Sequence, residues 1–386
     1  RPPRGGGIGD PMSRLDKTTG RAQAREDTLA EVLLGALELP DGAAVLVVDD
    51  GPDAIGRELE ARGHAVTRWW RMATLQHGAT AWPLPGPYGA ATIRLSKDKR
   101  AFEMAVHAAL SVLQPGAPLL VYGANDEGIK SVPRRLEGIL PGLETVEARR
   151  HCRVLETMRP SALPGLRGEL DAWSRTETLA FGDSPVSHTV FPGVFAKGGL
   201  DEGTASLLAT MPDPPAGASV LDFACGAGVI AGALQRRVPD LKLQLLDADA
   251  VSAEAARRNL PDAMVRIGAS WSALPAYQRY DRIVSNPPIH SGKERDYSVL
   301  QRLIAGAPSR LVDEGELWMV LQRQVPVRDE LWLCFDEVEE AWSNTRFRFW
   351  RAARPSRQGI QEVGGLRRGT GKRAPRKKPK HREPRR

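Results

Sequence analysis

"ASVLDFACGAGVIAGALQRR" occupies residues 218–237. Its apolar start ends in Asp222, a glycine turn follows at Cys225-Gly226-Ala227-Gly228, and a helical pattern takes over. A run apolar on both faces suits a strand buried in a parallel sheet. Turn glycines let the backbone approach a ligand, and the helix beyond offers free N–H groups. The spacing is not the GxGxxG of a dinucleotide site, and a lone GxG is matched by many ordinary turns. The surroundings have to decide what it is for.

Nineteen residues after Gly228, Asp247 closes the strand of "LKLQLLDADAVSAEAARRNL" (241–260). A carboxylate there can take both hydroxyls of a ribose; equally, Asp247 or Asp249 can open the next helix as its N-cap. A third element is "YDRIVSNPPIH" (280–290), a strand stopped by Asn286-Pro287-Pro288. Consecutive prolines cannot donate to a sheet ladder. On the carboxyl edge, where open α/β sheets bind ligands, the Asn286 oxygen and the Pro287 carbonyl could accept both protons of one amino group. An exocyclic amine on a base is a poor nucleophile because its lone pair is delocalised. Two acceptors would turn that lone pair towards an electrophilic carbon, a catalysis of positioning and charge stabilisation. The plainer reading is a turn that ends a strand.

The first half shows the same alternation. "AAVLVVDD" (43–50), "AVTRWW" (65–70), "ATIRLS" (91–96) and "PLLVYGAND" (118–126) read as strands between helices. Strands and helices at this spacing predict βαβ units in a doubly wound sheet. The halves align as one α/β domain duplicated. Where the second has "LDFACGAG" and "SNPPIH", the first has "VVDDGPDAIG" and "RLSKDK", without glycine turn or acceptor pair. The expected division is a disordered lead-in over 1–25, a first domain over 26–155, a Pro/Gly-rich linker over 156–179, a second domain over 180–353 and a tail over 354–386.

The 386 residues leave room for two domains and tails. Three cysteines without a CxxC pair favour a reducing, cytoplasmic setting and offer no metal site. No apolar run approaches the ~20 residues that cross a membrane. The N-terminus lacks the apolar core of a signal peptide, and Met12 is expected to be the true start. The net charge of +7 conceals an asymmetry: the last 23 residues carry eleven Lys/Arg and one Glu, so residues 1–363 sum to −3. Such a Pro/Gly-rich basic tail cannot bury a core. It is either a solubilising feature or a salt-sensitive attraction to nucleic-acid phosphate.

"VLDFACGAGV", "LLDADAVSAEAARRNL" and "RYDRIVSNPPIHSG" resemble the motifs of class I S-adenosylmethionine-dependent methyltransferases of the NPP type. With "FPGVFAKGGLDEGTASLLATM", "LSKDK", "VYGANDEGIKSV" and "EARRHCRVLE", the resemblance over about residues 30–353 is to the ribosomal RNA small subunit methyltransferase C family. It implies two tandem Rossmann-like methyltransferase domains, the first degenerate and without cofactor, serving RNA docking and stability. It implies S-adenosyl-L-methionine held by Asp222, Cys225, Gly226 and Gly228 at its methionine part, by Asp247 at its ribose and with Trp271 near its adenine. Asn286 and Pro287 would hold a guanine N2 amine, with Pro288 and His290 in the same catalytic turn. Ile289 and Phe195 would touch substrate. Ile289 departs from the family's aromatic, which would stack on a flipped base. His290 reads equally as a loop histidine or as a contact to base or phosphate. The implied substrate is small-subunit ribosomal RNA and the protein a monomer. NPP motifs also serve large-subunit rRNA guanine, DNA adenine and protein glutamine, and a decayed core would leave an RNA-binding assembly factor.

Overall fold

The apolar runs become the strands of two sheets. The computed structural model describes residues 11–181, 184–291 and 294–356. Its first sheet takes β1 (Ala44–Val48), β2 (Ala65–Trp69), β3 (Ala90–Arg94), β4 (Pro118–Ala124), β5 (Glu144–Arg149) and β6 (Cys152–Met158) in the order β2-β1-β3-β4-β6-β5. A hairpin of β7 (Arg175–Phe181) and β8 (Ser184–Val190) then leads to the second. That sheet comprises β9 (Ser219–Phe223), β10 (Lys242–Asp247), β11 (Met264–Ile267) and β12 (Tyr280–Ser285). After a two-residue ladder of β13 (His290–Ser291) and β14 (Glu294–Arg295) it is completed by β15 (Leu311–Gln322), β16 (Phe335–Ser343) and β17 (Phe347–Pro355). The order is β11-β10-β9-β12-β15-β17-β16. In both sheets the inner strands run parallel, and a single strand, β6 in the first and β17 in the second, runs antiparallel to both its neighbours. The first sheet is the second without its outermost parallel strand, the architecture that the duplicated pattern predicts.

Helices cover both faces: α1 (Pro11–Ala36), α2 (Ala54–Ala61), α3 (Lys99–Val112) and α4 (Val132–Leu136) on the first sheet. On the second lie α5 (Glu202–Thr210), α6 (Val229–Arg237), α7 (Ala250–Asn259), α8 (Ser298–Gly306) and α9 (Arg328–Cys334). Strand alternation divides each core into two layers. Leu46 and Val48 face one cluster and Val45 and Val47 the other; in the second domain Leu221 and Phe223 oppose Val220. Burying each such side chain is worth about 1.5–3 kcal/mol.

Two expectations change. Where the sequence suggested a disordered lead-in through residue 25, α1 reaches back to Pro11. Proline is at home in a helix's first turn, and farther on Leu29, Val32 and Leu33 anchor this helix in the core. The stretch read as a linker carries Trp173, which is buried between the domains with Met104, Phe191, Val194 and Val251. Its indole N–H donates to the Arg167 carbonyl at 3.0 Å, and His107 meets its ring edge-on. The basic tail beyond residue 356 lies outside the described residues, as do residues 1–10. Among the described residues no helix is long and apolar enough to cross a membrane, and no cluster of His, Cys, Asp or Glu could hold a metal ion.

The chain leaves β9 outward to β10 and β11, then returns to β12 on the other side of β9. That reversal opens a crevice at the carboxyl ends of β9 and β12. There the buried Ser285 hydroxyl donates to the Phe223 carbonyl at 2.6 Å, tying the two ends together.

Candidate active site

The glycine turn sits at the end of β9. Ala224, Gly226 and Gly228 adopt φ of 59°, 55° and 83°. The two glycines serve different needs. A Cβ on Gly228 would meet Leu260 Cδ1 at 3.0 Å and Leu245 Cδ2 at 3.2 Å, so this glycine lets α7 and β10 close in. A Cβ on Gly226 would meet nothing within 4 Å, which leaves that backbone bare over open space. Cys225 is buried in the core, and burial pushes its thiol well above the ordinary range. It is a neutral packing group.

Two carboxylates flank the turn. Asp222 is 1% exposed; its Oδ2 accepts from the Ala231 amide at 3.1 Å. Its Oδ1 has no hydrogen-bond partner among the described residues. Burial, with the Asp247 charge adding, pushes the Asp222 carboxyl up to about 7. An orphaned buried carboxylate oxygen costs free energy unless a ligand donor meets it. Asp247 accepts from the Gly226 amide at 2.7 Å with Oδ2 and from the Asp249 amide at 2.8 Å with Oδ1. Burial, then the Asp249 charge, raises its carboxyl to about 6. The two readings of these acids separate. Asp249 is the cap of α7, accepting from the Val251 amide, so Asp247 is free of that duty.

The Asn-Pro-Pro turn follows β12, the strand that neighbours β9. Asn286 Nδ2 donates to Asp201 Oδ2 at 3.2 Å and Thr204 Oγ1 at 3.0 Å. Thr204 donates its own proton to the same Asp201 oxygen, so its oxygen is left to accept. A carboxylate only accepts, so the amide's nitrogen must face Asp201 and its Oδ1 must face away. Among the described residues no donor reaches that oxygen or the Pro287 carbonyl. Among the described residues both acceptors at the end of β12 are therefore unengaged. Asp201 in turn caps α5, accepting from the Gly203 and Thr204 amides, which fixes it rigidly.

The remaining candidates separate. Pro288 is exposed in the turn. Ile289 is 7% exposed and packs in the core with Phe223, Leu300 and Leu303, so here it offers no stacking face. His290 opens β13, but its side chain lies outside the described residues. Trp271 donates its indole N–H to the Arg302 carbonyl at 2.7 Å and rests its ring tilted on Phe223, with centroids 4.9 Å apart. Phe195 is 65% exposed on the segment between β8 and α5 that ends at Asp201. Asp201 and Thr204 were not singled out from the sequence. Their signal was a helix-cap pattern, "DEGT", whose second use appears only when α5 meets the turn.

A glycine turn at the first strand, an acid at the second and unengaged acceptors at the fourth, all on a sheet of order 3-2-1-4-5-7-6, define a methyltransferase. The Methyltransferase small domain model matches residues 187–351, and the Methyltransferase small domain N-terminal model matches residues 30–164. The ribosomal RNA small subunit methyltransferase C of Stutzerimonas stutzeri is 32% identical over 310 residues, covering 76% of this chain and 89% of that protein. Its counterpart from Pseudomonas fluorescens is 30% identical over 347 residues, covering 85% and 99%. The chain belongs to the ribosomal RNA small subunit methyltransferase C family. Its fold matches that of the T. thermophilus 16S rRNA N2 methyltransferase, solved in complex with AdoMet and guanosine. The TM-score is 0.75 at 20% identity, covering 85% of this chain and 92% of that one.

Proposed function

We propose that this chain transfers a methyl group from S-adenosyl-L-methionine to the exocyclic N2 amine of a guanine in small-subunit ribosomal RNA, as a monomer in the cytoplasm. The observation that carries it is the orientation of Asn286, whose amide nitrogen is held by Asp201 and Thr204 so that its oxygen accepts. The residues present suit the cofactor: an orphaned Asp222 oxygen for its ammonium, the bare Gly226 backbone beneath its methionine part and Asp247 for its ribose hydroxyls. When bound, the cofactor supplies an electrophilic methyl. Asn286 Oδ1 and the Pro287 carbonyl accept the two amine protons and turn the nitrogen lone pair outward. Both oxygens also stabilise the positive charge that grows on nitrogen, in a crevice that needs no reorganisation. Neither is a base, so the proton passes to solvent after transfer. Phe195 offers an exposed ring for a flipped base, and the Pro288 and His290 backbone continues the Asn-Pro-Pro turn.

The proposed division of labour leaves cofactor and chemistry to the second domain. The first presents Lys97, Lys99, Arg100, Lys130, Arg134 and Arg135 around the start of α3, where Arg135 donates to the Lys99 carbonyl at 3.0 Å. Cations grouped there suit RNA phosphates. Incubating the chain with separated small and large subunits and labelled cofactor, then resolving nucleosides and protein hydrolysate by mass spectrometry, should yield N2-methylguanosine in small-subunit RNA. Lys130→Glu with Arg134→Glu should raise KM for RNA and leave kcat. Label in adenosine, in large-subunit RNA or in protein glutamine would overturn the assignment.

The Asp222 carboxyl adds a pH signature. A folded value near 7, above the ordinary 3.8, means the free protein loses this group's stabilisation as pH rises from about 4 through 7. A bound ammonium favours the ionised form, so cofactor affinity should rise over the same window. Calorimetry with S-adenosylhomocysteine between pH 5.5 and 8 should show the rise. Asp222→Asn should remove its upper limb near pH 7 and leave the part due to Asp247 near 6.

A further inference from the structure

Arg71 belongs to the first domain, just beyond β2, yet its guanidinium lies in the second. It forms a bidentate pair with Asp249, Nε to Oδ1 at 2.8 Å and Nη2 to Oδ2 at 2.7 Å, and both side chains are about nine-tenths buried. Nη1 donates to the Pro192 carbonyl at 2.8 Å, on the segment that runs on to Asp201. The backbone joins in: the Ala73 amide donates to the Ala248 carbonyl at 2.8 Å, and the Ala250 amide to the Arg71 carbonyl at 3.0 Å. Behind it the Arg71 amide donates to Asp49 Oδ1 at 3.0 Å, from a residue held at φ 57°. Gly193, at φ 81°, is where the chain makes room. A Cβ there would stand 2.8 Å from Arg71 Nη1 and 2.9 Å from the Ala101 Cβ of α3.

Residues 71–73 thus run as an added antiparallel segment along 248–250, immediately after Asp247. The Asp249 amide is what donates to Asp247 Oδ1. We infer that Arg71 is a positioning residue for cofactor binding: through Asp249 it fixes the turn that aims the Asp247 carboxylate at the ribose. The first domain, which has no glycine turn of its own, completes the cofactor site of the second. This rests on the proposed ribose contact of Asp247. The pair is worth keeping in this form because a buried bidentate arginine fixes geometry as well as charge.

The test is a double-mutant cycle in the full chain, read as the dissociation constant of S-adenosylhomocysteine by calorimetry, with kcat at saturating cofactor and Tm alongside. Arg71→Ala should weaken affinity about tenfold or more while kcat at saturation stays within about threefold. Arg71→Lys, which keeps the charge and loses the fork, should fall between. In an Asp247→Ala background Arg71→Ala should add little, because residues acting through one contact are not additive. An additive cycle, or a fall in Tm with affinity unchanged, would overturn the positioning role while leaving the ribose contact standing. Full affinity in Asp247→Ala alone would strike the ribose contact first, and the inference with it.

Discussion

Asn286→Ala is expected to lower kcat by 10²–10³ while the affinity for cofactor stays nearly unchanged. The acceptor at Oδ1 matters most when the amine nitrogen becomes cationic, so its loss falls on the transition state and not on ground-state binding. The support behind it is as telling as the residue itself. Asp201 and Thr204 both accept from the amide nitrogen, so the oxygen is aimed before any substrate arrives. Thr204→Val keeps the volume and the α5 cap but removes one of the two acceptors that hold the amide nitrogen; a drop of about tenfold is expected, from an amide that now samples other rotamers. Single-turnover methylation at saturating cofactor measures both. Normal turnover by Asn286→Ala would reduce the Asn-Pro-Pro turn to a way of stopping β12.

The glycine turn, Asp247 and the proline pair were legible because each makes a local demand on the backbone. Positive φ at Gly226 and Gly228, a strand-end carboxylate and a missing N–H are written in a few adjacent residues. The duplicated α/β plan was legible for the same reason, through strand runs apolar on both faces. What stayed hidden depends on chain distance. Asn286 meets Asp201 and Thr204 across more than 80 residues, and Arg71 meets Asp249 across 178. No local pattern marks such pairs. Ile289 is a different case. Its position in the motif suggested a base contact, but an aliphatic side chain next to Phe223 and Leu303 gains more from the core than from the crevice. Trp271 follows the same logic, its ring committed to Phe223 and its N–H to Arg302.

Asp247→Ala carries the second large expectation, a ten- to hundredfold loss of cofactor affinity with the fold retained. The carboxylate already accepts one backbone amide on each oxygen, and those bonds hold it in place at the end of β10. Each oxygen keeps a further lone pair, so the carboxylate can accept from two vicinal hydroxyls. Losing a charge-assisted contact of that kind costs about 1.5–3 kcal/mol. The cap of α7 is Asp249, so removing Asp247 should leave that helix intact, and far-ultraviolet circular dichroism should match the parent. Asp247→Asn sharpens the comparison: it keeps the size and one acceptor but places an amide donor where an amide N–H already points. It should therefore bind cofactor no better than Asp247→Ala. Calorimetry on the three proteins decides it, and equal affinity in all three would remove Asp247 from the cofactor site.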